Sequence, residues 1–262
     1  MAIDSKTLNA FVKVLSLAVE PGRIKRSEAK TWWSEFRKHK SLDVATIGYP
    51  DCLFSRDQAE GILGDGFCDN LPTRDDSEAI LRWHNLHKQL DEIYETKAFL
   101  NKLNINLTVF DLKEVRGGEV IHNFNLPVLK RQHQTYDMIY DGGTLEHIFN
   151  VPQALRNMVM LCKVDGYIIH NNPLSVFNHG FYNFNPTLYH DFYSQNGHEI
   201  IGDMEAIKKQ GLGYSNYILP TTKKFVINGD NWIFVVAKKK NSKKPEWPIQ
   251  TKYIENPDLK EE

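Results

Sequence analysis

The densest chemistry in the chain lies in Tyr136-Asp137-Met138-Ile139-Tyr140-Asp141-Gly142-Gly143-Thr144-Leu145-Glu146-His147-Ile148. An apolar run passes straight into a Gly-Gly turn and then into Leu-Glu-His. A parallel α/β sheet presents polar groups in this way at the carboxyl edge of its strands, where its ligands bind. Glu146 and His147 are residue types that could move a proton or orient a ligand, since an imidazole titrates near neutral pH. His170 and His179 stand near a later strand exit, His179 among Asn178, Tyr182 and Asn183 in a loop suited to a polar, ring-bearing ligand. Asp111 closes an earlier apolar run. A carboxylate there can accept from both hydroxyls of a ribose, or simply serve a turn. His84 and His87 sit one helical turn apart, but no third ligand follows at a recognised spacing, so no metal site is expected and the pair reads as helix surface.

These residues need a scaffold of alternating strands and helices. Leu8, Phe11, Val12, Leu15 and Val19 recur at helical spacing behind Ser5 as a cap, and Pro21-Gly22 stops that helix. A second helix is expected from Ser27 to Lys40 with Trp32, Trp33 and Phe36 on it. Strands are expected at 42–47, 105–110, 119–122, 136–140, 166–170, 198–201 and 232–237, with helices at 56–63, 75–103 (interrupted), 152–162 and 189–195. Residues 64–72 read as a loop by their Gly, Asp, Asn and Pro content. The alternation argues for a doubly wound, mostly parallel sheet. It divides the chain into an N-terminal helical extension (1–41), an α/β domain (42–238) and a polar tail (239–262), surface-draped or mobile, with Pro245, Pro248 and Pro257.

Composition narrows the function classes. The 262 residues are 41% apolar and 25% charged, with 32 Lys plus Arg against 33 Asp plus Glu, an ordinary globular balance without the basic excess of a nucleic-acid binder. Cys52, Cys68 and Cys162 are odd in number and lack CxxC spacing, which suggests neither disulfides nor a zinc cage and fits a reducing, cytoplasmic setting. No apolar run approaches the roughly 20 residues of a membrane span. No Gly-x-Gly-x-x-Gly follows an expected strand, which disfavours nicotinamide-dependent redox chemistry. Nucleic acid and membrane are therefore not expected as partners, with self-association left open.

Laid in order, the pieces resemble class I S-adenosylmethionine (AdoMet)-dependent methyltransferases. Asp137 early in its strand, Leu145-Glu146-His147, the helix leading to Lys163-Val164-Asp165-Gly166, and Asn172-Pro173 are similar to the family's stretch from its fourth strand to the loop after its fifth. His179-Gly180-Phe181-Tyr182-Asn183-Phe184-Asn185-Pro186 resembles the His-Gly-Phe-Tyr-Gln-Phe-Ser-Pro stretch of a bacterial subgroup. The resemblance covers about residues 42–238 and is specific from His122 to Gly197. It implies a doubly wound, Rossmann-like, mostly parallel seven-stranded sheet with helices on both faces, and AdoMet as cofactor. The family's first strand ends in an acidic residue and a Gly-x-Gly turn. This chain has Thr46-Ile47-Gly48-Tyr49-Pro50, so Gly48 alone must permit close backbone approach.

On this resemblance the cofactor is held by Gly48, Asp111, Asn123, Phe124, Asp141, Gly142, Gly143 and Thr144. Asp111 takes the ribose and Asn123 the adenine amino group. Phe124 flanks the ring or belongs to the core, and 141–144 line the methionyl side, where Gly142-Gly143 could equally be a tight turn. Glu146, Asn172 and Tyr182 then face the acceptor, and His147 or His179 is the general base unless both only brace loops. Methyl transfer from a sulfonium is an in-line displacement, so alignment is the enzyme's main task. The implied activity is transfer to a hydroxyl, or an amine or amide, of a small polar metabolite, with a sugar of surface-polysaccharide biosynthesis as the subgroup's association. The alternative is a catalytically degenerate member that binds a nucleotide or serves as a partner subunit. Nucleic-acid methylation is disfavoured, because no Asn-Pro-Pro-Tyr or Asp-Pro-Pro-Tyr motif is present.

Overall fold

The structure, a computed structural model, describes residues 2–19, 41–221 and 223–255. Its strands are β1 (Ala2–Asp4), β2 (Leu42–Ile47), β3 (Asp51–Leu53), β4 (Ile105–Asp111), β5 (Val120–Ile121), β6 (Tyr136–Asp141), β7 (Cys162–Pro173), β8 (Glu199–Ile200), β9 (Glu205–Gln210), β10 (Gly213–Ile218) and β11 (Trp232–Lys238). Its helices are α1 (Ser5–Val19), α2 (Arg56–Leu63), α3 (Ser77–Trp83), α4 (Thr96–Lys102), α5 (Val151–Leu161), α6 (Pro186–Gln195) and α7 (Thr251–Glu255). The helix expected at Ser27–Lys40 lies outside the described residues.

Among the described residues the main sheet has nine strands in the order β10-β9-β11-β7-β6-β2-β4-β5, with β8 beside β11. Strands β5, β4, β2, β6 and β7 are mutually parallel. Strand β11 runs antiparallel to β7, β8 and β9, and β10 antiparallel to β9. The expected seven-stranded, mostly parallel sheet is thus corrected to a mixed one. The reason is connection length: Gly211-Leu212 alone joins β9 to β10, and a two-residue link permits only an antiparallel hairpin. That hairpin escaped the sequence reading because β9 ends in Lys208-Lys209-Gln210 and every residue of β10 is exposed, which removes the apolar alternation.

Strand β6 shows why the sheet is covered on both faces. Ile139 points into a core with Ala45, Phe110 and the α5 residues Ala154, Leu155 and Met158. Met138 and Tyr140 point the other way, into a core with Leu8 and Phe11 of α1, Ala59 and Leu63 of α2, and Phe99 of α4. Period-2 alternation feeds two apolar layers, so the strand reads as a continuous apolar run. The helix starts are locally specified. Ser55 and Gln58 form a capping box on α2, and Asn150 accepts the Gln153 amide on α5, with Pro152 in the first turn. Asp4, not Ser5, caps α1, its Oδ1 accepting the Thr7 amide at 2.9 Å.

The 75–103 stretch breaks into α3 and α4. His84 follows the end of α3 and Asn85 takes φ 56°, so His84 and His87 do not share a helix face. The tail up to residue 255 is draped over the surface: Arg156 donates to the Pro245 carbonyl and stacks over Trp247 at 3.6 Å, and the Thr251 amide donates to Asp191.

Lys239 is buried where α5 passes into β7, and its ammonium donates to the carbonyls of Val159 and Cys162 at 2.7 Å each. It satisfies acceptors that a helix end leaves open. Burial, reinforced by this neighbouring charge, pushes the His198 imidazole down from 6.5 to about 4. In the unfolded chain the same group titrates near 6.5, so the unfolded state binds more protons between these two values. Unfolding free energy should therefore fall as pH drops from about 6.5 toward 4, His198 contributing up to about 3 kcal/mol. Denaturant midpoints for the wild type and His198→Gln from pH 7 downward check this: the variant should lose part of the slope, and equal slopes would remove His198 from the account.

Candidate functional site

Side chains converge on a cavity of about 1260 Å³ at the carboxyl ends of β2, β4 and β6. Its floor is the sheet edge, and Ala2, Asp4 and the 211–213 turn border it from outside the parallel strands. The N-terminal strand belongs to this wall: β1 pairs in parallel with β3, and the Tyr140 hydroxyl donates to the Ala2 carbonyl at 2.5 Å.

Gly48, Asp111, Asn123, Phe124, Gly142, Gly143, Thr144, His147 and His179 all line the cavity. Gly48 turns at φ 85° and its amide donates to the Phe110 carbonyl, which binds the exits of β2 and β4 together. Asp111 accepts the Leu112 amide through Oδ1 at 2.7 Å. A carboxylate offers about four acceptor positions, so capacity for a diol remains. Asn123 Oδ1 accepts both the backbone and side-chain N–H groups of Asn125, at 3.0 and 2.8 Å. Its carbonyl is thus spent on the loop, and the side-chain amide is the part left to read a ligand. Phe124 is 3% exposed and meets Phe110 edge-on at 5.7 Å, so it is core with one edge on the cavity.

The two glycines of the turn have different reasons. A Cβ on Gly142 would lie 2.3 Å from the Tyr140 hydroxyl, so that position is set by the buried ring beneath it. Gly143 sits at φ 96°, where a side chain is strained. Asp141 is fully buried and off the cavity wall. Its Oδ1 accepts the amides of Thr144 and Leu145 at 3.1 Å each, and its Oδ2 lies 3.1 Å from His170 Nδ1. His170 Nε2 is 2.6 Å from the Tyr193 hydroxyl. Burial pushes that phenol well above its usual range, so it donates to Nε2 while Nδ1–H donates to Asp141. Asp141 is therefore corrected from a cofactor ligand to the anchor of the 142–145 turn.

Three further assignments change. Asn172 is buried, not on the cavity: its Nδ2 donates to Glu146 Oε2 at 3.1 Å and its Oδ1 accepts from Tyr189 at 2.7 Å. It orients Glu146 rather than touching an acceptor. Tyr182 donates to the Phe149 carbonyl at 2.9 Å and packs on Phe184, so it holds the loop. Glu146 is fully buried behind the wall, with Oε1 turned to His179 Nε2 at 3.3 Å and His147 Nε2 at 3.8 Å. The two imidazoles are 49% and 37% exposed for His147 and His179. Trp232 braces His179, ring centroids 5.1 Å apart.

The sequence reading missed another part of the cavity wall. The guanidinium groups of Arg74 and Arg116, which share Asp76, stand 5.5 and 5.4 Å from the centre of the Tyr49 ring, and the Tyr49 hydroxyl donates to Glu95. Burial and that carboxylate raise its phenol above the usual range, which keeps it a donor. Asp51 is buried 3.4 Å from Arg116 and 3.8 Å from His84. Trp232 could have been found, because a last strand antiparallel to β7 starts at the edge where β7 ends, and it pairs with Pro173. Asp51, His84 and Arg116 gave no local signal.

No family model matches the chain, and no curated protein matches it. Among solved structures, the DszA carbon methyltransferase superposes with a TM-score of 0.45 at 7% identity, over 90% of this chain and 53% of that one, so the chain spans about half its length. The Burkholderia thailandensis 1,6-didemethyltoxoflavin N1-methyltransferase, with bound 1,6-didemethyltoxoflavin and S-adenosylhomocysteine, gives 0.41 at 13% identity over 92% of each chain. TehB from Haemophilus influenzae gives 0.38 at 14%, over 79% and 60%. With scores below 0.5, the functional reading rests on the geometry of the site.

A Cβ on Gly180 would lie 2.8 Å from the Glu146 carbonyl, which accepts the Phe181 amide at that same close approach of the two loops. Gly180→Ala should cost about 1–3 kcal/mol by overpacking and displace His179 from Glu146. Denaturant titration reads the first effect, and the His179 ring shifts in an NMR spectrum the second. Wild-type stability with unmoved shifts would refute the close-packing role.

Proposed function

We propose that the protein is an AdoMet-dependent methyltransferase acting on a hydroxyl, or an amine or amide, of a small polar metabolite. The observation that carries this reading is that one cavity is lined both by the close backbone and carboxylate of three strand exits and by two imidazoles backed by a buried carboxylate. Gly48, Asp111 and the 142–144 turn supply close backbone and a carboxylate for the cofactor, while His147 and His179, with Glu146 behind them, supply polar groups where a nucleophile would lie. Gly48 and Asp111 end adjacent strands, and Gly48 is tied to Phe110, the residue before Asp111. A nucleoside laid across those two exits would point its sulfonium toward the Glu-His-His end. An acceptor held there meets the methyl carbon in line, and an imidazole can take its proton.

Of residues 178–185 the cavity takes only His179, so a sugar as acceptor rests on the sequence resemblance. The bland reading, a nucleotide-binding relative without activity, draws on the single glycine at the first turn. Gly48 nevertheless adopts the positive φ that such a turn requires.

Calorimetric titration with AdoMet and S-adenosylhomocysteine tests the cofactor end. Asp111→Ala should weaken binding by about 1.5–3 kcal/mol for each charge-assisted bond lost, and an affinity equal to wild type would show that Asp111 is not the ribose ligand. At the other end, His147→Ala and His179→Ala should leave AdoMet affinity within error and lower kcat once an acceptor is in hand. Loss of cofactor affinity instead would move those histidines to the cofactor side.

A further inference from the structure

Among the described residues, Glu146, His147 and His179 bring one carboxylate oxygen and two imidazole nitrogens within 4.8 Å of one another. Glu146 Oε1 is buried and makes no hydrogen bond. Desolvating a carboxylate oxygen without a donor is costly, and proteins meet that cost by pairing the charge or by coordinating a metal. The facing groups are the Nε2 atoms at 3.3 and 3.8 Å. Ligand atoms at about 2.0–2.2 Å from a shared ion stand roughly 3.0–3.5 Å from one another, so the His179 distance already fits. The His147 ring, half exposed, has room to close the remainder.

We propose that Glu146, His147 and His179 form a divalent metal site, with two nitrogen ligands and one oxygen ligand, at the acceptor end of the cavity. The surroundings are those a metal site needs. Asn172 fixes Glu146 through Oε2 and is itself fixed by Tyr189, which leaves Oε1 directed at the imidazoles. Trp232 packs edge-on against the His179 ring. Gly180 allows the His179 loop to close on the Glu146 backbone. Both imidazoles line the cavity, so open coordination positions would face its interior. Such a donor set suits a borderline transition ion of the zinc, cobalt, nickel or iron(II) type rather than magnesium or calcium.

This site deepens the proposed function: it rests on that reading for AdoMet as methyl donor and for the acceptor, and it gives the ion the proton-removing role assigned there to an imidazole. Adjacent open positions favour an acceptor whose hydroxyl neighbours a second oxygen, so that both can chelate. The ion acidifies that hydroxyl in place of an imidazole base. The O–H proton leaves to water, an oxygen lone pair forms the O–CH₃ bond, and the C–S bond breaks with its electron pair going to sulfur. The products are the methyl ether, neutral S-adenosylhomocysteine and one proton.

The test uses the full chain, free of any histidine tag and stripped with a chelator. Co(II) is titrated with visible absorption as readout, and Zn(II) by calorimetry and by its effect on thermal melting. A single saturable site is expected, with tetrahedral or five-coordinate Co(II) absorption and a Zn(II)-raised melting temperature. Glu146→Gln, His147→Ala and His179→Ala should each weaken binding at least about tenfold and lose the Zn(II) shift in melting, whereas His133→Ala should match wild type. If Glu146→Gln does not fold, the two half-exposed histidine variants carry the test. Absence of saturable binding, or affinity unaffected by the histidine variants, overturns the site. AdoMet titration runs in parallel. Cofactor binding without ion binding leaves the methyltransferase reading intact and removes the ion, and ion binding without cofactor binding does the reverse.

Discussion

The carboxylate of Asp141 is the tie on which the site hangs. It is buried at the end of β6, and a buried charge persists only when its hydrogen-bonding positions are filled. One oxygen takes the amides of Thr144 and Leu145, which folds 142–145 back on the strand end, and the other meets His170. The short turn that follows, Leu145–His147, then has no freedom to swing, and it delivers Glu146 inward and His147 to the cavity. Because His170, on the neighbouring β7, is itself held by Tyr193 of α6, the turn is tied across the sheet edge to a helix in the same apolar layer as Leu145. Asp141 acts through the groups it positions.

Close backbone approach is the second constraint. Three glycines near the site answer to different neighbours: Gly142 to the Tyr140 ring, Gly143 to its own backbone angle, Gly180 to the Glu146 carbonyl. Only the second is the turn-forming role that glycine pairs usually announce. The other two are packing demands created by residues close by in one case and 34 positions away in the other, the latter joining two loops that carry the paired His179 and Glu146. The cavity is thus built by contact between loops as much as by the sheet edge beneath them.

Its parts differ in how they were legible. One part is made of strand exits, and strand exits can be read from apolar runs that stop at Gly, Asp or Asn. Gly48, Asp111, Asn123 and the 142–144 turn all reached the cavity wall for that reason. The polar cluster of Asp51, His84 and Arg116 comes from a short strand, a helix terminus and a loop whose juxtaposition no periodicity encodes. Asn172 and Tyr182 were read as acceptor contacts because polar residues at a strand exit and in an aromatic loop look alike whichever way they face. The structure turns one to Glu146 and the other to the Phe149 carbonyl.

The sequence by itself determined the α/β alternation, the positions of β2, β4, β6 and β11, and the edge at which polar groups gather. All of these follow from local spacing, since periods of 2 and 3.6 and the chemistry of turns act over a few residues. Tertiary structure decided the antiparallel flank of the sheet, the break between α3 and α4, the use of the N-terminal strand as a cavity wall, and the meeting of Glu146, His147 and His179. Those depend on hairpin closure and on contacts between segments tens of residues apart, where burial and hydrogen-bond satisfaction over the whole molecule select among alternatives that are locally equivalent.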